Sequence, residues 1–439
     1  MLVQYFTAFA WGIIVLFAFI GYGRLLNIIL SPAKKFDLGM QAAFGLCLSV
    51  IVGGFLNFAA AISPLVLKAF VGFGFLLFLF FWLLGCQAWP LLARQAVVFV
   101  KANKIFSIAA ALVFVIILVR YSSAVSFFGF NGSDDHHGYM AFPAKMLQTG
   151  SLGNDPFSER RVESSLGGQY FLHAMILSVA SFKNLHLADN GLGYLILALL
   201  LVGFLKEKKV NRGIIFTAAV LMILLDSPVL NITAAYTAAA VFFLFFRLSY
   251  QTAEFKNNSS LRNALLVGLP LATLCVLKST FVLVSVMLFF GHYYLCYQRL
   301  GDWRPLVKEF VLSILIIFIF LLPWMLAMLA SSGTLLYPIF GRGYHGTAYD
   351  DFKHVIRFDL YSLLRLFYEG FNSLITLIPL VAMGVAAYVL AASEEKRFVW
   401  LIFFSSLSGV LALGLLLGGY SVYYYSFPYL LPTILFAAV

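Results

Sequence analysis

The sequence predicts an all-α polytopic membrane protein, and three observations carry that prediction. Of 439 residues, 62% are hydrophobic and only 11% charged, whereas soluble domains carry about 45–50% and about 25%. Mean hydropathy is +0.97. Apolar runs recur along the whole chain, at lengths near the roughly 20 residues one membrane crossing needs. The 47 Phe and 22 Tyr against 13 Pro argue against disorder.

Read in order, the runs place spans near 5–30, 39–61, 64–85, 105–120, 185–205, 211–226, 228–247, 264–277, 281–298, 309–329, 373–391, 399–417 and 427–439. That makes a bundle of about 12–13 transmembrane helices. The run from Ala264 to Gln298 would be about 52 Å long as one helix, too long for a single span. It reads as a hairpin with Lys278 at the turn. The last run stops at Val439 after few residues, so it reads as a half-span or as the start of a longer one.

Orientation follows from the basic residues. Alternate connections collect Arg24, Lys34, Lys35, Arg94, Lys101, Lys104, Lys206, Lys208, Lys209, Arg212, Arg247, Lys256, Arg262, Arg299, Arg304, Lys308, Lys396 and Arg397, eighteen of the 29 Lys and Arg. The positive-inside rule makes those connections cytoplasmic. The N-terminus and two long loops, 121–184 and 330–372, then lie outside. The segment 169–181 (QYFLHAMILSVAS) is apolar but too short to span. Counting it as a crossing would also turn Lys206–Lys209 outward. It reads as an amphipathic helix on the outer membrane surface, or else as a short re-entrant segment.

The net charge of +11 is explained by these anchors, and nucleic-acid binding is not implied. Cys47, Cys86, Cys275 and Cys296 sit in or at the ends of apolar runs without paired spacing, so neither a disulfide framework nor a cysteine metal site follows. The glycines form no phosphate-cradling loop. Titratable groups concentrate outside instead: eleven of the 18 acidic residues, and His136, His137, His173, His186, His345 and His354 among the seven His. A protein that merely spans a membrane has no reason to gather them on one face. His292, within a span, reads as a satisfied core histidine. Trp324 and Tyr423–Tyr425 read as members of an interfacial aromatic belt, with saccharide stacking as a second use.

The densest cluster is Asn131-Gly132-Ser133-Asp134-Asp135-His136-His137-Gly138-Tyr139, directly after the fourth span. Two carboxylates and two imidazoles there suit a general base, a metal site, or a solvated turn. Adjacent Asp and His cannot all point one way, which argues against a complete metal cage from this run alone and favours one Asp acting with ligands from elsewhere. A second cluster holds His345, Asp350, Asp351 and His354. On a helix Asp350 and His354 would share a face, which suits a metal or a simple ion pair.

The run Asp135-His136-His137-Gly138-Tyr139-Met140-Ala141-Phe142-Pro143-Ala144-Lys145-Met146-Leu147-Gln148-Thr149-Gly150 resembles the first-loop signature of the GT-C superfamily, integral-membrane glycosyltransferases that use polyprenyl-phosphate sugars. The likeness is to the bacterial branch of aminoarabinose transferases and relatives of protein O-mannosyltransferases: an acidic residue, Tyr four positions later, then Met-Leu-x-x-Gly. Pro323-Trp324, Gly333-Thr334-Leu335-Leu336-Tyr337-Pro338, Gly268 through Lys278, Ala180 through Lys183 and Tyr429-Leu430-Leu431-Pro432 resemble later elements in the same order. The family's Lys-Pro-Pro-Leu is replaced by Ser164-Ser165-Leu166-Gly167-Gly168, and the Arg before its late Tyr-Leu-Leu-Pro by Pro428.

The resemblance implies a GT-C-like bundle with two outer loops carrying short surface helices. It divides the chain into membrane helices at 1–104, an addition, and a catalytic core at 105–439. It implies inverting transfer of a sugar from a polyprenyl-phosphate donor to a lipid, glycan or protein hydroxyl, at the outer face of a bacterial inner membrane. Asp135 takes the place of the catalytic base, with Asp134 in support. Lys278, Arg342, Arg160 and Arg161 are candidates for the donor phosphate, Lys278 equally suiting a snorkelling anchor. Tyr139, His137, Tyr337 and Tyr344 would line the substrate. A divalent cation, Mg²⁺ or Mn²⁺, would be held among Asp134, Asp135, His345, Asp350 and His354. Two other classes stay open: a lipid-linked saccharide flippase or secondary transporter, and a polysaccharide polymerase or ligase.

Overall fold

A computed structural model describes residues 2–31, 35–85, 103–127, 129–132, 135–152, 166–227, 231–251, 259–332, 335, 385, 389, 393–416 and 422–439. Their regular elements are all helical, with no strand among the described residues. Among the described residues four helices precede the first loop: α1 (Leu2–Leu30), α2 (Leu38–Phe58), α3 (Pro64–Gly85) and α4 (Lys104–Ser126). The loop carries a π-turn at Asp135–Tyr139, then α5 (Ala141–Thr149) and α6 (Gly168–Leu177). After a π-helical stretch, Leu187–Gly193, come α7 (Tyr194–Lys208), α8 (Arg212–Leu224), α9 (Tyr236–Tyr250), α10 (Ser260–Leu277), α11 (Val282–Leu300), α12 (Arg304–Ser332), α13 (Ser393–Leu416) and α14 (Val422–Ala437).

Eight helices among the described residues are long and apolar enough to cross a membrane. They include α1 to α4, the continuous stretch Phe182–Lys208, and α10 to α12. Helices α8 and α9 are apolar but shorter. The hairpin at Lys278 is present: α10 ends at Leu277, Lys278 is extended, and α11 starts at Val282. The span read at 373–391 lies almost wholly outside the described residues.

The centre of the bundle is built from α2 and α9. Every residue of α9 from Tyr236 to Ser249 is buried, and α2 packs against α1, α7, α10 and α12. Segment 1–104 is thus interleaved with 105–439. The periphery has the opposite character, with Ile105, Ile108, Leu112, Phe114 and Val119 of α4 exposed. An apolar outer face of this kind is what lipid chains cover. Close approach of α1 and α2 depends on glycine. A Cβ on Gly45 would come 1.8 Å from the Phe19 carbonyl oxygen, and one on Gly23 1.7 Å from that of Gln41.

The ends of the helices sort by charge. Arg247 of α9 donates to Asp37, before α2, at 2.5 Å and to Glu207 of α7 at 2.8 Å. Arg299 of α11 reaches the Tyr250 carbonyl at 3.2 Å, and Arg397 of α13 reaches Gln298 at 2.8 Å. Arg212 lies over the Phe106 ring at 5.7 Å. The basic connections therefore gather at one end of the bundle, as alternating spans demand. The first loop, Asp226 and Lys278 gather at the other.

Three expectations need correction. First, 169–181 is not an amphipathic surface helix. Its helical part, α6, is about 15 Å long, too short to cross, but Gly168 through Ile176 are all buried. They are enclosed by α2, α3, α5 and α10, so no stripe faces lipid or water. Second, Trp324 is not in an aromatic belt. It is fully buried, donates its indole N–H to the Val50 carbonyl at 3.2 Å and fills the space beside Gly54 and Gly167. Third, the span read at 228–247 begins as helix only at Tyr236, for reasons given below. The last helix also starts earlier than its apolar run, at Val422.

Gly45→Ala should part α1 from α2, because the obstructing atom is backbone. A fall in the yield of monodisperse protein on detergent size exclusion would show it. Gly72→Ala meets nothing within 4 Å and should be neutral or gain up to about 1 kcal/mol from helix propensity.

Candidate functional site

Asp135 opens a π-turn whose geometry follows from its own carboxylate. The chain returns on itself between Asn131 and Asp135, with the Asp135 amide bonded to the Asn131 carbonyl at 2.9 Å. Asp135 Oδ2 accepts the Asn131 amide at 2.8 Å, closing the turn from the other side. Oδ1 accepts the Ile232 amide at 3.2 Å, far along the chain. The carboxylate is fully buried. Burial raises its affinity for a proton above the ordinary carboxylate range, and the two amides and the charge of His136 oppose that shift without cancelling it.

The partner segment, Asn231–Ala235, is where the expected helix fails to form. Within it the Ile232 amide serves Asp135 and the Ala235 amide bonds to the Thr233 carbonyl at 3.0 Å, while the first two amides of α9, Tyr236 and Thr237, donate to Asp189 at 3.2 and 2.8 Å. Asp189 therefore caps the N-terminus of α9, where unpaired amides favour an anion. The sequence offered no signal of this pairing, because cap and helix lie on different spans.

Thr233 makes the link between the loop and the hairpin. Its hydroxyl bonds to the Tyr139 hydroxyl at 3.0 Å and accepts from Lys278 Nζ at 3.3 Å. Lys278 Nζ also stands 4.5 Å from the Tyr425 ring centroid and 4.9 Å from that of Tyr424. These rings thus serve a cation rather than a belt. Lys278 is buried and is not a snorkelling anchor. Three residues singled out in the sequence, Asp135, Tyr139 and Lys278, meet around one short segment. Thr233 was missed, since one hydroxyl in an apolar run carries no pattern.

Behind the turn stands a neutral post. His173 Nε2 lies 3.1 Å from the Gln169 amide nitrogen, which can only donate. The imidazole therefore accepts at Nε2 and keeps its proton on Nδ1. Burial pushes His173 down to about 3, so it stays uncharged. Burial also raises the Tyr139 phenol well above its usual range, keeping it a neutral donor. His186 is equally fixed: Nε2 donates to the Gly129 carbonyl at 2.7 Å, and Nδ1 accepts from Asn190 at 2.9 Å. The α5 helix that follows the turn ends on Gly150, whose carbonyl accepts from Ile62 at 2.9 Å. That bond ties the loop to the α2–α3 connection.

Other expected site residues fall outside the described residues: Asp134, Arg160, Arg161, Tyr337, Arg342, Tyr344, His345, Asp350 and His354. His137 belongs to the π-turn by its backbone, and its side chain is likewise outside the description. Among the described residues no group of three or more metal-ligating side chains comes together. Asp135 is the one expected ligand in view, and each of its oxygens already holds a backbone amide. The described residues alone assemble no cation site, and no cation enters the proposed reaction. Cys47, Cys275 and Cys296 are free and buried. His292 is satisfied by Ser249 at 3.0 Å, as expected.

The double use of the carboxylate changes what Asp135→Asn should do. An amide has one oxygen, so one of the two backbone N–H groups loses its acceptor and faces an NH₂ group. A buried unpaired donor costs about 1–3 kcal/mol. A lowered midpoint in a thermal-aggregation assay of the detergent-solubilised variant is expected, and an unchanged midpoint would contradict this geometry. No family model, no curated protein and no solved structure matches the chain.

Proposed function

We propose that this protein is a multi-pass membrane glycosyltransferase of GT-C type, with about 12–13 spans, that moves a sugar from a polyprenyl-phosphate donor to a hydroxyl acceptor at the bacterial inner membrane. The observation that carries the reading is the meeting of Asp135, Tyr139 and Lys278 around Thr233. A carboxylate, a neutral phenol donor and an ammonium are the groups that such a displacement uses.

In the reaction the acceptor O–H gives its proton to the Asp135 carboxylate as its oxygen attacks the anomeric carbon. The carbon–oxygen bond to the phosphate breaks, and the phosphate leaves with the electron pair. One displacement inverts the anomeric centre. A polyprenyl phosphate is a good leaving group, so the protein mainly supplies a base and a cation for the departing charge. Burial strengthens Asp135 as a base, in the direction that brings its proton affinity toward working pH. Lys278 supplies the positive charge, held by Thr233 and framed by Tyr424 and Tyr425. Because Asp135 is fully covered, the acceptor must displace the Asn131 amide from Oδ2 to reach it. The membrane face follows from the basic end of the bundle, which the positive-inside rule places in the cytoplasm.

In a transfer assay Asp135→Asn should lose about 10²–10⁴-fold in kcat, roughly 3–5 kcal/mol, a larger effect than its folding defect. Lys278→Gln should cost kcat more than donor binding if the charge acts on the leaving group. The acid limb of kcat/KM should fall above the ordinary carboxylate value of about 3.9: activity needs ionised Asp135 and is lost as pH drops through its raised pKa. Full transfer by Asp135→Asn protein that remains folded would end this assignment.

A further inference from the structure

A second constellation lies away from Asp135 and Lys278. Helices α4, α7 and α8 enclose an apolar groove of about 470 Å³, lined by Phe106, Ala109 and Val113 of α4, Ala198 and Leu201 of α7, and Ala219 of α8, among others. Along the same helices, beyond Ile117 and Ile223, follows a polar cavity of about 400 Å³ that includes Arg120, Ser123, Asn190, Asp226 and Ser227. Residue order runs from one cavity into the next on α4 and α8, and in reverse on α7. The groove length on α4, from Phe106 to Ile117, is about 16 Å. That matches the reach of an extended hydrocarbon chain of a dozen or so carbons.

The polar end carries both signs of charge. Arg120 Nη2 donates to Asp226 Oδ1 at 2.7 Å and to the Tyr236 hydroxyl at 2.5 Å. The guanidinium lies 4.1 Å from the Tyr194 ring centroid and 4.9 Å from that of Tyr236, which fixes its plane. Both bonds use one nitrogen of the fork. Asp226 takes its bonds from Arg120, Tyr236 and Ser227 on Oδ1, and among the described residues Oδ2 has no hydrogen-bond partner. The Asp226 side chain is 66% exposed. Burial works to raise its pKa, but the Tyr236 hydroxyl and Arg120 outweigh it, and the carboxyl stays ionised.

We propose that this groove and cavity bind a membrane glycerophospholipid with an ethanolamine headgroup: one acyl chain in the groove, phosphate on Arg120, ammonium on Asp226. Charge complementarity selects the headgroup. A phosphate monoester or an anionic headgroup would bring its charge against the open Asp226 oxygen, at a like-charge cost. A zwitterion meets each partner with its opposite. A quaternary ammonium has no N–H to give Asp226, whereas a primary ammonium has three. The site is independent of the transferase reading, since it uses none of the residues assigned to transfer.

Native mass spectrometry of the purified full chain, delipidated and re-exposed to phosphatidylethanolamine, phosphatidylglycerol or phosphatidylcholine in mixed micelles, tests the proposal. Retention should be greatest for phosphatidylethanolamine. Arg120→Gln and Asp226→Asn should each reduce it about tenfold or more, as expected for one charge-assisted hydrogen bond. Ala109→Phe, which fills the groove without touching the pair, should abolish it, and this variant guards against misfolding at the Tyr236 contacts. Lys308→Gln, an exposed residue of α12 that lines neither cavity, should change nothing. Equal retention of phosphatidylglycerol, a Lys308→Gln effect as large as that of Arg120→Gln, or no retained lipid at all would each overturn the proposal. Because no sugar transfer is read, the result stands whatever the outcome at Asp135.

Discussion

Backbone amides released inside an apolar bundle must find an acceptor, and this constraint shapes the protein around residues 231–235. Water is not available there to satisfy them, so an unpaired amide is expensive. Two carboxylates meet the need. Asp135 takes the amide of Ile232, and Asp189 takes those of Tyr236 and Thr237. The break in the helix is therefore held by side chains from two other elements. It is also what brings the Thr233 hydroxyl within reach of both Tyr139 and Lys278.

The same economy governs the other end. Arg247 is almost completely buried yet faces Asp37, Glu207 and the Leu200 carbonyl. Gln251 adds two bonds to Glu207, at 2.5 and 2.6 Å. Removing one partner from such a cluster strands a buried charge, at about 3–5 kcal/mol. The cluster joins the ends of α7 and α9 to the start of α2 and so fixes the order of the central helices. Charge at this end builds the scaffold, while at the other end Asp135 and Lys278 are brought to one short segment through Ile232 and Thr233.

Aromatic rings set the electrostatics of the candidate site. The quadrupole of a Tyr face attracts a cation, and the gain grows as water is excluded. Tyr424 and Tyr425 act in this way on Lys278, and Tyr194 and Tyr236 on Arg120. Both cations also bond to a hydroxyl, Thr233 in one case and Tyr236 in the other.

The sequence by itself determined the helical class, the division into apolar helices, the break at Lys278 and the pairing of charged connections at one end. These follow from composition and period, because a helix in lipid satisfies its own backbone and needs only a long apolar run. Asp135 and Tyr139 were legible because they sit in one dense polar cluster. Tertiary structure alone decided that Thr233 joins them to Lys278, that Asp189 caps α9, and that Trp324 fills a gap between glycines. It also buried α6 on all sides, where its apolar pattern had suggested a membrane surface. The physical reason is common to these cases. Hydropathy reports that a residue leaves water, but not whether lipid or protein receives it, and a hydrogen bond between distant spans leaves no period in the chain.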